Sequence, residues 1–189
     1  MKSIPYVNLI KQAESQRKDI FLLLNKIIKK GQFVGGVEID KFEKNICKLL
    51  KVKHCVALNS GTDALTLGLH LLGIKKGDEV ITVAAGFPTT VAPILQNGLV
   101  PVFADNDPIT LNLKVDDLPN LLSDKTKAVF IAHTLGNPFN LSAVKDFCEK
   151  NNLWLIEDNC DALGCEYNSQ FTGTFGDLST QSFYPPHHL

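Results

Sequence analysis

Four short stretches of this 189-residue chain carry residue types with chemistry to offer. The densest is Trp154-Leu155-Ile156-Glu157-Asp158-Asn159-Cys160-Asp161, where three carboxylates in five residues follow an apolar run. Such groups are costly to bury without partners, so the stretch is either a solvated loop or a holder of something cationic. Asp158 in particular can pair with a protonated ring nitrogen or a metal. A second stretch, Asn59-Ser60-Gly61-Thr62-Asp63-Ala64-Leu65, sets a glycine and two hydroxyls at the start of a helical pattern. The free amides and dipole of a helix start hold phosphate well, and Ser60 and Thr62 add hydroxyl donors. The same residues also read as a capping box, with Ser60 as the cap and Asp63 at the third helical position. The Walker pattern is absent.

In the third stretch, Ala84-Ala85-Gly86-Phe87-Pro88-Thr89-Thr90, Phe87 follows an apolar run and a glycine. It can stack on a flat ring, although a phenylalanine in such a place is more commonly core. The fourth is Ser182-Phe183-Tyr184-Pro185-Pro186-His187-His188, whose paired histidines supply a base suited to neutral pH. Cys160 and Cys165, with His187 and His188 downstream, are spaced more widely than the usual zinc pairs. They read as inert buried thiols, and the sequence offers no metal set.

The elements that must position these residues follow from hydrophobic periodicity. Helices are expected near 8–30, with Gly31 as a stop, and near 38–50. Beyond them β-rich runs alternate with helical ones: strand 54–58, helix 61–73, strand 79–83, helix 88–97, strand 101–104, helix 115–122, strand 127–132, helix 141–151 and strand 153–157. A Gly-rich stretch and a last strand near 178–183 follow. This is the pattern of an α/β domain with a mostly parallel sheet flanked by helices. Such a sheet gathers its ligands outside the carboxyl ends of its strands, and all four stretches fall there. The chain ends at Leu189 with no closing helix, so it is expected to be incomplete.

Composition narrows the class. With 19 Lys+Arg against 20 Asp+Glu the net charge is -1, and no global basic field draws the chain to nucleic acid or anionic lipid. Val80–Ala104 carries no charge, but three prolines, two glycines, a glutamine and an asparagine interrupt it. It reads as a buried segment rather than a membrane span. The five cysteines are an odd number, and the first residues have no apolar signal core. Reduced thiols and a cytoplasmic location are expected.

Together and in order, these stretches resemble the sugar-nucleotide aminotransferase family of vitamin B6 enzymes, which have the aspartate-aminotransferase-like fold of pyridoxal phosphate fold type I. The likeness runs from about Phe33 to the end. It implies an N-terminal helical segment over 1–30 and a cofactor-binding large domain over 31–189, cut short at its C-terminal end and lacking the C-terminal small domain. It implies that Ser60, Gly61 and Thr62 form the phosphate turn of pyridoxal 5'-phosphate. Phe87 would stack on the pyridine ring, Asp158 pair with the pyridinium nitrogen, and Ser182 help to hold the phosphate. Asp161 stands where many members have a glutamine near the cofactor's phenolic oxygen. A homodimer is implied as well.

One departure directs the functional expectation. Family aminotransferases follow Ser-Phe with a lysine that carries the cofactor covalently, and this chain has His187 at that place. Histidine there marks the deoxysugar 3-dehydratases, and the wording lies nearest the members that act on CDP-4-keto-6-deoxyglucose in 3,6-dideoxyhexose and O-antigen synthesis. The resemblance then implies a non-covalently held pyridoxamine 5'-phosphate and a nucleotide-sugar substrate. It implies His187 as the base that takes a proton from the cofactor's C4′ carbon while the sugar loses its C3 hydroxyl. His188 is the alternative base. Members of this kind draw electrons from a reductase through a [2Fe-2S] cluster, whose cysteines are expected outside this chain. Other readings stay open: a GDP-4-keto-6-deoxymannose 3-dehydratase that recycles its cofactor with glutamate, a sugar aminotransferase, or a fragment that does not catalyse.

Overall fold

The computed structural model describes residues 8–184 and 187. The chain divides into two compact units, one built from the segment up to Ala57 and the other from Leu58–His187.

The first unit holds α1 (Leu9–Lys30) and α2 (Val37–Leu50). Asn8 caps α1 by accepting from the Lys11 amide at 3.0 Å. Gly31, at φ +65°, ends the helix and returns its N–H to the carbonyls of Ile27 and Ile28, the left-handed stop that glycine adopts most readily. Glu38 and Asp40 in the first turn of α2 and Lys48 in its last suit the helix dipole. The Glu38 carboxylate pairs with Lys26 at 2.7 Å, and neither helix buries a residue. The strand expected at 54–58 does not form. His54–Leu58 runs without a ladder, and Val56 and Leu58 are exposed. The alternation suits a strand, but a strand exists only beside a neighbour, and none of the described residues pairs with it.

The second unit is a five-stranded parallel sheet in the order β2-β1-β3-β4-β7. Its strands are β1 (Glu79–Val83), β2 (Val100–Ala104), β3 (Thr126–Ala132), β4 (Trp154–Asp158) and β7 (Leu178–Thr180). A hairpin of β5 (Glu166–Tyr167) and β6 (Gln170–Phe171) precedes β7 and turns on Asn168 and Ser169, both at positive φ. That is the conformation a two-residue hairpin favours. Helices α3 (Gly61–Leu71) and α4 (Pro88–Gln96) cover one face, where Leu65, Leu69 and Ile94 pack on Val80, Ala128, Phe130 and Ile156. On the other face α5 (Leu118–Leu121) and α6 (Leu141–Asn151) set Leu118, Leu141 and Val144 against Ile81, Val129, Ile131 and Leu155. The expected helix at 115–122 resolves into a single 3-10 turn, Val115–Asp117, and α5, because Pro119 lies in the first turn of the helix. The last strand stops at Thr180 instead of 183.

This is the α/β class expected, wound on both sides. The uncharged run at 80–104 is β1, α4 and β2, and no helix among the described residues is long and apolar enough to cross a membrane. The order reverses between β1 and β3: β1 hands over to β2 on one side, and the chain then returns to β3 on the other. Loops leaving such neighbours part to opposite faces and open a crevice at the carboxyl ends.

Candidate functional site

The end of β4 supplies two consecutive carboxylates, and the pleat turns them to opposite faces. Glu157 shares the side of Leu155. It accepts from the amides of Gly173, Phe175 and Gly176 at 2.7–2.8 Å and from His133 Nε2 at 3.1 Å. Both members of the Glu157–His133 pair have 0% side-chain exposure, and the His133 ring stacks on Phe139 at 4.5 Å. Burial pushes the Glu157 carboxyl up. The His133 hydrogen bond, the Gly176 and Gly173 amides and the His133 charge outweigh it, so the group titrates below its ordinary range. This makes His133 structural.

Asp158 shares the side of Ile156 and is 6% exposed. Thr90 Oγ1, from α4, donates to its Oδ2 at 3.0 Å, and the Cys160 amide donates to its Oδ1 at 3.2 Å. Both donors are neutral, and no cation among the described residues pairs with the carboxylate. A buried, uncompensated negative charge is the electrostatic signature of a place made for a positive partner. The solvated-loop reading of this stretch therefore fails for Glu157 and Asp158 and holds only for Asp161.

The start of α3 faces the same region. Ser60 is the N-cap: its Oγ accepts from the Asp63 amide at 3.1 Å and donates to Asp63 Oδ2 at 2.9 Å. Ser60 is thus the cap expected, but the box is only half made: Asp63 accepts from the Ser60 hydroxyl and from Asn59 Nδ2 at 2.6 Å rather than from the Ser60 amide, and the Ser60 hydroxyl is occupied by this pairing. The amides of Gly61 and Thr62, the first two of the helix, have no intrahelical acceptor by geometry. A Cβ on Gly61 would stand 3.4 Å from Ser182 Cβ and 3.5 Å from Cys160 Sγ. Glycine at this point keeps a cradle open between the helix start, Ser182 and Cys160. Ser182 Oγ also accepts from the Tyr184 amide at 3.2 Å.

Phe87 caps α4 and is 69% exposed, so it is not the core residue that its type suggests. His187 Nδ1 lies 2.5 Å from Asp161 Oδ1, and the His187 ring meets Tyr184 edge to face at 5.8 Å. His188 lies outside the described residues. Seven of the eight residues singled out in the sequence therefore belong to two linked groups. Gly61, Ser182, Cys160 and Asp158 converge, with Ser60 and Thr62 on the flank of that cradle, and Asp161 holds His187. Thr90 and the Glu157–His133 pair escaped the sequence reading. The Cys160 thiol is pushed up by burial first and by the Asp158 charge second, and burial raises Cys148 to about 12. Neither is a nucleophile at neutral pH.

Residues 14–189 match the DegT/DnrJ/EryC1/StrS aminotransferase family. The chain belongs to that family. Among DegT/DnrJ/EryC1/StrS relatives, the lipopolysaccharide biosynthesis protein RfbH of Salmonella typhimurium is 52% identical over 167 residues, covering 84% of this chain and 38% of its own. The dTDP-4-dehydro-2,6-dideoxy-D-glucose 3-dehydratase of Saccharopolyspora spinosa is 42% identical over 166 residues, covering 84% and 36%. Among solved structures, NtdA of Bacillus subtilis with its bound cofactor PMP superposes with a TM-score of 0.90 at 28% identity, over 98% of this chain and 42% of that one. The chain thus spans about two-fifths of the length of the relatives it matches.

Proposed function

We propose that this chain is the cofactor-binding part of a pyridoxamine-phosphate-dependent 3-dehydratase, with residues 31–189 as its large domain. Its substrate is a nucleotide-linked 4-keto-6-deoxyhexose, with CDP as the nucleotide. The observation that carries the reading is the Asp161–His187 contact. A histidine stands where the family's transaminating members have lysine, and Asp161 holds one of its ring nitrogens.

The residues present fit the cofactor. Asp158 offers a buried carboxylate without a cation, matched to a protonated ring nitrogen. The first amides of α3, the gap at Gly61 and the Ser182 hydroxyl suit a phosphate. Phe87 presents an exposed aromatic face for a flat ring. When bound, pyridoxamine phosphate supplies an amine for the sugar's C4 ketone and a ring that accepts electrons from its C4′ carbon.

The chain's own groups then divide the work. Asp158 keeps the ring nitrogen protonated, and Phe87 covers the ring. Asp161 engages His187 Nδ1, which fixes the tautomer and leaves Nε2 to take the C4′ proton. The C3 hydroxyl would leave as water, and its replacement by hydrogen would take the two electrons that a reductase supplies, with two protons from solvent. With no lysine at 187 the chain has no covalent hold on the cofactor. The reading brings with it a cytoplasmic homodimer and a reductase that supplies electrons through a [2Fe-2S] cluster held by none of the five cysteines here.

Position 187 tests this. His187→Asn is expected to bind pyridoxamine phosphate as the parent does and to lose C3 dehydration. His187→Lys is expected to capture pyridoxal phosphate as a borohydride-reducible adduct at residue 187, read by peptide mass mapping. Dehydration retained by the asparagine variant, or no adduct at 187 in the lysine variant, overturns the assignment.

A further inference from the structure

We propose that Thr90 is a positioning residue for Asp158, and that the first turn of α4 keeps this carboxylate in register with Phe87. The inference rests on reading Asp158 as the partner of the cofactor's ring nitrogen.

Thr90 is 2% exposed and 68 residues from Asp158 in sequence, yet its hydroxyl lies 3.0 Å from Asp158 Oδ2. A threonine in the first turns of a helix usually turns its hydroxyl back to its own backbone. This one reaches across to the sheet instead. The second bond to the carboxylate, from the Cys160 amide to Oδ1, comes from the chain two residues on. A carboxylate held by one donor swings about its last torsion. Held at each oxygen by donors from two different elements, its plane is fixed and its remaining lone pairs point one way.

The same turn carries Phe87. The Thr90 amide donates to the Phe87 carbonyl at 3.0 Å, and Pro88 at the first helical position stiffens the link. The residue that covers the ring and the hydroxyl that aims the carboxylate are therefore one rigid piece. Because the hydroxyl is neutral, it orients Asp158 without cancelling its charge, and the charge stays available to a cationic ligand. A lysine or arginine at 90 would orient the carboxylate and remove that charge together.

The test uses the full chain and pyridoxamine phosphate, with binding followed by fluorescence titration and the Asp158 carboxyl carbon by NMR in the cofactor-free protein. Thr90→Val, which keeps the shape and loses the hydroxyl, is expected to shift the carboxyl resonance and weaken binding roughly ten- to a hundredfold, as for a hydrogen bond to a charged group. Thr90→Ser is expected to restore both. In Asp158→Asn the further change to Val at 90 should cost little more binding, since Thr90 acts through Asp158. If valine at 90 does not fold, Thr90→Ala, which also lacks a donor, carries the same comparison. Binding by the hydroxyl-less variant within twofold of the parent, or an unmoved carboxyl resonance, overturns the Thr90 assignment alone. Unchanged binding by Asp158→Asn, or no binding by the parent, overturns the cofactor reading and this inference with it.

Discussion

Glu157 and Asp158 are consecutive carboxylates, both buried, and the pleat of β4 sends them to different fates. On the α5/α6 face, Glu157 meets four N–H donors, three from the turn before β7 and one from His133. On the α3/α4 face, Asp158 meets neutral donors, from Thr90 and Cys160. The first carboxylate is satisfied within the chain and ties β3, β4 and the 173–176 turn together. The second is aimed but left uncompensated. Both are buried carboxylates, so the number and charge of the donors decide which group holds the fold and which awaits a ligand.

The contrast is broken most severely by truncation. Glu157→Ala strands three amides and the buried His133 ring, and it is expected to lower the unfolding free energy by about 3–5 kcal/mol, as for a broken buried pair. Asp158→Ala takes the partner from the Thr90 hydroxyl and from the Cys160 amide and thiol, all neutral, and removes an uncompensated charge. Its expected cost is about 1 kcal/mol or less, while it weakens pyridoxamine phosphate binding. Denaturant unfolding of both variants measures the split. Equal losses would mean that Asp158 is as structural as its neighbour.

Part of this division was legible before any coordinates. The carboxylates at the end of an expected strand were read from sequence, but the strand expected at 153–157 runs on to Asp158, and only that extra residue lets the pleat divide Glu157 from Asp158; the run at Glu79–Val83 became β1 residue for residue. The N-cap at Ser60 and the stop at Gly31 are local signals and were read from local sequence. What stayed hidden depends on register and distance. Thr90 has no mark that ties it to a carboxylate 68 residues away, and His133 meets Glu157 because β3 and β4 pair with Ala132 beside Asp158. The run at 54–58 shows the converse: strand-like letters yield no strand where no neighbour supplies the ladder.

Glycines sharpen the comparison with a smaller effect. A Cβ on Gly176, in the turn that clasps Glu157, would stand 2.5 Å from the Leu155 carbonyl oxygen. Strand backbone cannot yield as a side chain can, and Gly176→Ala is expected to cost about 1–3 kcal/mol. On Asp158's side the added Cβ of Gly61→Ala meets Ser182 Cβ at an ordinary 3.4 Å. That change should leave stability within about 0.5 kcal/mol, as for surface substitutions, yet narrow the cradle and weaken phosphate-bearing ligands. Melting curves with inorganic phosphate and with pyridoxamine phosphate separate the two outcomes.

Acid titration probes the closed side alone. Folding lowers the Glu157 pKa below its ordinary 4.5, so near that value the unfolded chain binds more protons than the folded one. Stability from this group is complete above pH 4.5 and drains as the pH falls through the lower, folded value. Glu38 and Asp107 are shifted the same way, but both sit half-exposed at the surface, where screening leaves them less weight. The acid limb of a stability–pH curve should therefore flatten in Glu157→Gln, which is less stable than the parent at neutral pH and converges on it in acid. A parallel displacement of the two curves down to the lowest pH would mean that the Glu157 clasp is held by shape rather than by its charge.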